Sequence, residues 1–189
     1  MNSLKFKKFF ILLSLFIFAN AQAYNFLMPF SLDNEEVNHY LMKKVQVEKN
    51  YGFPGIFTVA YKINDLTAEI GKTPNKIEMQ ANVIIKAMIA NEKFDTQLQV
   101  TFDTTPYYDA KKGAIFLKDF RIIKWDGLPT QNIQIVQQIL PTLNNGIATI
   151  FENIPLYTLN EDSLRDRLIK KFAKGIVVEK GKLGIDVEI

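Results

Sequence analysis

The sequence predicts an α+β fold: a long, strongly curved antiparallel sheet wrapped around one long, kinked helix. Three observations predict it. Ile77, Met79, Ala81, Val83, Ile85, Ala87 and Ile89 alternate without a break between Lys76 and Ala90, the period-2 pattern of a strand with one buried face. After a turn at Asn91-Glu92, Phe94, Thr96, Leu98, Val100 and Phe102 answer them on a second strand. Ile133, Val136, Leu140, Leu143, Ile147 and Ile150 then recur at spacings of 3 and 4, the helical period. A strand of about fourteen residues spans roughly 46 Å, and twist accumulating over that length makes it coil around whatever it covers. A helix of about 21 residues is roughly 31 Å long, a fair match.

The chain opens differently. Lys5, Lys7 and Lys8 precede Phe9 to Ala19, where only Ser14 is polar, and then comes Asn20-Ala21-Gln22-Ala23. A basic segment, an 11-residue apolar run and an A-x-A site make a secretory signal peptide over residues 1–23, cleaved after Ala23. A membrane span needs about 20 apolar residues, so the run is too short to be one. Cleavage leaves 166 of the 189 residues, starting at Tyr24. The three leader lysines account for the whole net charge of +3. The mature chain is neutral, with no basic patch calling for nucleic acid and no charge run calling for an anionic membrane surface. A lipoprotein needs a cysteine after the cleavage site, and Tyr24 stands there, so no stable membrane anchor is expected. The expected location is the periplasm.

Composition agrees with a folded domain. The chain is 48% hydrophobic and 23% charged with no cysteine, which excludes disorder, collagen-like repeats and a disulfide scaffold. A domain of ~150 residues buries roughly 70% of its unfolded surface, enough for one core without disulfides.

Pro29, Pro54, Pro74, Pro106, Pro129 and Pro155 fall between periodic segments and read as punctuation. Ser31 reads as the N-cap of a helix over about 32 to 45, with Asp33, Glu35 and Glu36 in the first turns, Lys43 and Lys44 late, and Val37, Tyr40, Leu41 and Val45 on one face. After Tyr51-Gly52-Phe53-Pro54-Gly55, a strand carries Phe57, Val59, Tyr61 and Ile63. Its parity then switches to Leu66, Ala68 and Ile70, which predicts a bulge near Asn64-Asp65 or a turn between two strands. A third strand, Ala114 to Lys124, follows a turn at Asp109 to Gly113. Thr130 caps the long helix, Ile135, Ile139 and Phe151 widen its stripe, and Pro141 inside it predicts a kink. A second helix over about 161 to 173 is expected to bury Leu164, Leu168 and Phe172 and to end at Gly175. Ile176 to Glu179 and an alternating strand with Leu183, Ile185, Val187 and Ile189 close the chain.

The chemistry is an inventory of absences. The mature chain has two serines, Ser31 and Ser163, both explained as helix caps. There is no G-x-S-x-G elbow, no cysteine nucleophile, no phosphate-binding loop and no dinucleotide fingerprint. One histidine, His39, does not make a zinc site. It sits between Glu35 and Lys43, as on a solvated helix face. The acidic pairs Glu35-Glu36 and Glu161-Asp162 read as helix N-terminal residues. The protein is therefore expected not to be an enzyme and to carry no cofactor or metal.

What remains is an apolar excess. Met79, Val83, Ile85, Met88, Ile89, Phe94, Leu98, Val100, Phe102 and Phe116, with Val136, Leu140 and Leu143 from the helix, are candidates to line a tubular cavity for a lipid tail. A packed core has the same alternation as a cavity wall, and both stay open.

Whole segments resemble the YceB-like family of bacterial envelope proteins. They are SLDNEEVNHYLMKK (31–44), YGFPGI (51–56), INDLTAEIGK (63–72), PYYDAKKGAIFLKDFRI (106–122), LPTLNNGIATIFENIPLYTLNED (140–162) and AKGIVVEKGKLGI (173–185). The resemblance covers nearly all of residues 24–189, a single domain. Family members resemble lipoproteins with a cysteine at the cleavage site, where this chain has Tyr24. The resemblance implies a fold related to tubular lipid-binding domains and, by analogy of fold, a lipid or fatty-acyl ligand held without catalysis. The alternative is an envelope protein-protein interaction module with a filled core and no ligand, its partner unidentified.

Overall fold

The computed structural model describes residues 30–45, 47–53, 57–89, 92–127 and 133–187. The predicted leader, the Thr130 cap and Ile189 lie outside them. The predicted hairpin forms β4 (Ile77–Ile89) and β5 (Glu92–Asp109), paired from Ile77↔Thr104 to Ile89↔Glu92. β3 (Phe57–Ile70) pairs antiparallel with β4, and its register slips between Asn64 and Thr67. Asp65 there has a φ of 52°. The parity switch in the sequence is thus a bulge, the device that bends a strand. β6 (Ala114–Asp126) continues the sheet on the other side of β5, with further slips after Thr101 and Asp103.

With β2 (Val47–Phe53) and β7 (Tyr157–Thr158), the order of this six-stranded antiparallel sheet is β2-β3-β4-β5-β6-β7. β1 (Ser31–Asp33), β8 (Ala173–Glu179) and β9 (Lys182–Val187) form a three-stranded sheet in the order β1-β9-β8. The two sheets meet where β3 ends. Gly181 N–H donates to the Ile70 carbonyl, 2.8 Å. Gly71, at a φ of +68°, passes so close to the Glu179 carbonyl that a Cβ would lie 2.2 Å from it.

Among the described residues three helices complete the α+β architecture: α1 (Asn34–Lys44), α2 (Ile133–Asn153) and α3 (Leu164–Phe172). Asparagines on two of them close open sheet edges. Past Ile63, β3 has no β2 partner among the described residues. There the Asn38 side chain accepts from the Ala68 N–H (2.6 Å) and donates to the Ala68 carbonyl (3.0 Å), while Asn34 accepts from Ile70 N–H. β7 covers only Ala114 and Ile115 of β6. Further along, the Asn144 side chain of α2 accepts from Ile122 N–H (3.0 Å) and donates to the Phe120 carbonyl (3.2 Å). Each of Asn38 and Asn144 thus does what one residue of a neighbouring strand would do, pairing backbone groups that would otherwise be orphaned.

Four local expectations are corrected. Ser31 lies in β1 opposite Gly184, and Asp33 caps α1 through a capping box with Glu36. A charged acceptor serves the same orphan N–H groups as well as serine. Pro106 sits inside β5, opposite Leu117, beyond the point where β4 begins opposite Thr104. Without a β4 neighbour there, its missing N–H deprives no partner. Gly175 is not a helix C′ residue, because α3 ends at a cap on Ala173 and the chain passes directly into β8. Finally, Leu164, Leu168 and Phe172 are not buried. They are 66%, 49% and 38% exposed, while Asp166 and Ile169 hold the inner side of α3.

Candidate apolar ligand site

Seven of the predicted lining residues come together at the centre of the fold. Met79, Val83 and Ile85 from β4, Leu98 and Phe102 from β5, and Val136 and Leu143 from α2 are all fully buried in one cluster, together with Val100. Phe94 is buried with them, and Ile89 and Leu140 are half-buried against the same cluster. Two residues stand apart. Met88 has the opposite parity to Ile85 and Ile89, pairs with Thr58 and Lys93, and is 41% exposed. Phe116 is buried outside the cluster, stacked on Tyr107 at 5.9 Å with Lys112 Nζ 4.6 Å over its ring. Its neighbours Ile115 and Leu117 take the inward parity instead.

Sequence reasoning missed the residues that give this interior its shape. Tyr61 of β3 is buried and stacks on Tyr51 of β2, ring centroids 5.9 Å apart. Both hydroxyls meet α2 at Gly146, where a Cβ would lie 2.3 Å from Tyr61 Oη and 3.1 Å from Tyr51 Oη. A glycine inside a helix destabilises it by about 1 kcal/mol relative to alanine, and here the close approach explains its presence. Tyr61 Oη has no partner with hydrogen-bond geometry among the described residues. Burial, with the Tyr51 hydroxyl beside it, pushes the phenol's pKa far up, so it stays protonated. The signal was present in the sequence as a glycine in the middle of an apolar helical stripe.

The apolar face runs on toward one end of the sheet. Tyr51 lies across from Val59, and Phe57 across from Ile89, so all four share the face of the core. Yet Tyr51 and Phe57 are 38% and 37% exposed. The same register places Lys49 opposite Tyr61 on the edge strand. Among the described residues the core face therefore ends in two partly exposed aromatic side chains, with Lys49 on the same face of the edge strand. Two surface depressions elsewhere are more polar. One of about 450 Å³ is lined by Val47, Glu48, Lys62, Ile63 and Asn64, and one of about 230 Å³ by Thr67, Ala68, Glu69, Glu78 and Gln80.

The buried charges serve the fold. Asp103 receives the Arg121 guanidinium at 2.5 and 3.3 Å, and Glu78 receives Lys72 Nζ at 3.0 Å and the Thr73 hydroxyl at 2.9 Å. Asp166 accepts from Asn160 N–H and from Arg165 Nε, both at 2.8 Å. Burial pushes the Asp166 carboxyl up, but these donors outweigh it and hold the group below the usual carboxylate range. Ser163 caps α3, and His39 is exposed on α1. Among the described residues no cluster of histidine and acidic side chains is arranged to hold a metal ion.

Comparison with known proteins places the chain. The family described as "Protein of unknown function (DUF1439)" matches residues 32–182. A Salmonella typhimurium protein named "Uncharacterized lipoprotein YceB" is 30% identical over 183 residues, covering 95% of this chain and 97% of the relative. The Escherichia coli protein of that name is 32% identical over 165 residues, covering 85% and 88%. A crystal structure of lipopolysaccharide binding protein aligns at a TM-score of 0.32 and 12% identity, over 82% of this chain and 45% of that one, too slight a likeness to bear on fold or function. The chain belongs to the DUF1439 family of YceB-like proteins.

Proposed function

We propose that this protein binds or carries a lipid or other apolar ligand without catalysing a reaction. The observation that supports it most is the unfinished end of the core face. Apolar side chains normally bury when they continue a core, since burial is worth about 25 cal/mol per Å² of apolar surface. Here Tyr51 and Phe57 continue the face and stay more than one-third exposed. The buried Tyr61 hydroxyl, with the Tyr51 hydroxyl beside it, adds to it, because a ligand oxygen reaching this pair would accept hydrogen bonds from it.

On this reading the sheet, bent by its bulges, curves around α2, with Pro141 kinking the helix. An acyl chain enters between Tyr51 and Phe57 and lies along Phe94, Ile89 and Ile85. Its polar end meets the Tyr51 and Tyr61 hydroxyls, with Lys49 at the rim favouring an anionic head. Met79, Val83, Leu98, Phe102, Val136, Leu140 and Leu143 form the floor. The protein works in the periplasm as a single domain over residues 24–189, its leader removed after Ala23 and no acyl anchor attached at Tyr24. Among the described residues the buried acids Asp103, Glu78 and Asp166 are all hydrogen-bonded or ion-paired, an arrangement that suits a binding protein.

Native mass spectrometry and lipid extraction of protein recovered from the periplasm test this. An adduct with the mass of a fatty acid or phospholipid is expected, on a chain that begins at Tyr24. A ligand-free spectrum together with no uptake of a fluorescent fatty acid would contradict it.

A further inference from the structure

Helix α3, Leu164-Arg165-Asp166-Arg167-Leu168-Ile169-Lys170-Lys171-Phe172, buries one side and carries an apolar stripe on the other. Ile169 and Asp166 lie inward, both 2% exposed, and fasten the helix through the Asp166 contacts with Asn160 and Arg165. The outward side carries Leu164, Leu168 and Phe172 at intervals of four residues. At 100° per residue these fall within a sector of about 80°, with Arg165 and Lys171 about 60° to either side of its centre and Arg167 next beyond Lys171. Among the described residues, the hydrogen bonds and ion pairs that fasten the helix are made by Ser163, Arg165, Asp166, Arg167 and Lys170, not by this stripe.

The flanking charge decides what the stripe suits. Four cations stand in these nine residues against one acid, and that acid is buried against Arg165. Lys170 pairs with Glu161 at 2.6 Å. Arg167 donates to the Glu161 carbonyl rather than to a carboxylate, and Lys171 Nζ lies 5.4 Å over the Phe172 ring. Among the described residues neither Arg167 nor Lys171 has an ion pair. The neutrality of the mature chain as a whole conceals this local excess. An apolar stripe with long cationic side chains on both shoulders is the geometry of a helix lying in a membrane interface, where stems follow the apolar surface and charges reach lipid phosphates.

We propose that the outward face of α3 seats the protein on an anionic phospholipid surface. Leu164, Leu168 and Phe172 enter the boundary between headgroups and acyl chains, while Arg167 and Lys171 meet phosphates. The inference stands apart from the ligand reading, since it uses none of the residues assigned to the ligand.

The test places a reporter in the stripe: Phe172→Trp in a Trp125→Phe background, Trp125 being the chain's one tryptophan. Vesicles of phosphatidylglycerol with brominated acyl chains should blue-shift and quench the new indole, and phosphatidylcholine vesicles should do so weakly. Added salt should reverse the effect. Arg167→Gln and Lys171→Gln should each weaken binding about fivefold, equivalent to ~1 kcal/mol per basic residue near an anionic surface. Co-sedimentation of the exported chain with intact Trp125 provides a second readout, and Leu164→Ser with Leu168→Ser should abolish it. Four results would overturn the proposal. These are an indole buried before vesicles are added, burial that rises with protein concentration, quenching that is equal on both lipids, and co-sedimentation untouched by the stripe variant. The first points to cover by the chain itself and the second to a second copy.

Discussion

Helices α2 and α3 carry the same kind of apolar stripe and meet opposite fates. Val136, Ile139, Leu143, Ile147 and Phe151 of α2 vanish into the core, while Leu164, Leu168 and Phe172 of α3 face outward. The difference lies in what surrounds each stripe. α2 has few charges and a glycine that lets Tyr61 and Tyr51 close on it. α3 has cations on both shoulders of its stripe and an aspartate on its inner side, where Arg165 and the Asn160 N–H can satisfy it. Periodicity thus states that a helix has an apolar face. It does not state what covers that face.

The largest effect expected from breaking this comparison is at Leu143. It is fully buried, and Leu143→Ala should destabilise the protein by about 2–5 kcal/mol in urea melts through lost burial and the cavity left behind. Next comes Asn144, whose side chain serves one N–H and one carbonyl of the β6 edge. Asn144→Ala leaves both unpaired and should lower stability by about 1–3 kcal/mol, with faster hydrogen exchange at the Ile122 amide as the local readout.

Asp166 sharpens the comparison through pH. Its folded carboxyl sits below the unfolded value of about 3.9. The stabilisation is therefore complete above that value and is lost as pH falls through the folded one. Urea melts from pH 7 to roughly pH 3 should show the wild type losing stability more steeply at the acid end than Asp166→Asn, which lacks this linkage. The smallest effect is at Leu168. Leu168→Ser should change stability by under about 0.5 kcal/mol, because about half of its surface already faces solvent.

Much of the fold was legible in the sequence. The parity switch at Asn64-Asp65 became a bulge because alternation records which face each residue takes. The hairpin of β4 and β5 was legible for the same reason. β2 was not, since Tyr51-Gly52-Phe53 reads as a turn until its pairing with Phe57 to Val59 is seen. The outward face of α3 was illegible because the burial of Asp166 depends on Asn160 and Arg165, contacts that no periodicity reports. Within the candidate site, alternation located Met79, Val83, Ile85 and Leu98, but the Tyr51, Tyr61 and Gly146 contact joins three elements distant in sequence.

The aromatic end of the core face at Tyr51 and Phe57 and the stripe on α3 are both apolar and exposed, and only the first is assigned to the ligand. Titration of a fluorescent fatty acid into the wild type, Phe57→Asp and Leu168→Ser, each shown to be folded by circular dichroism, tests that assignment most directly. The account predicts saturable binding to the wild type, at least about tenfold weaker binding to Phe57→Asp, where a carboxylate would face the acyl chain, and unchanged binding to Leu168→Ser. Equal affinity for all three, or a loss confined to Leu168→Ser, would contradict it.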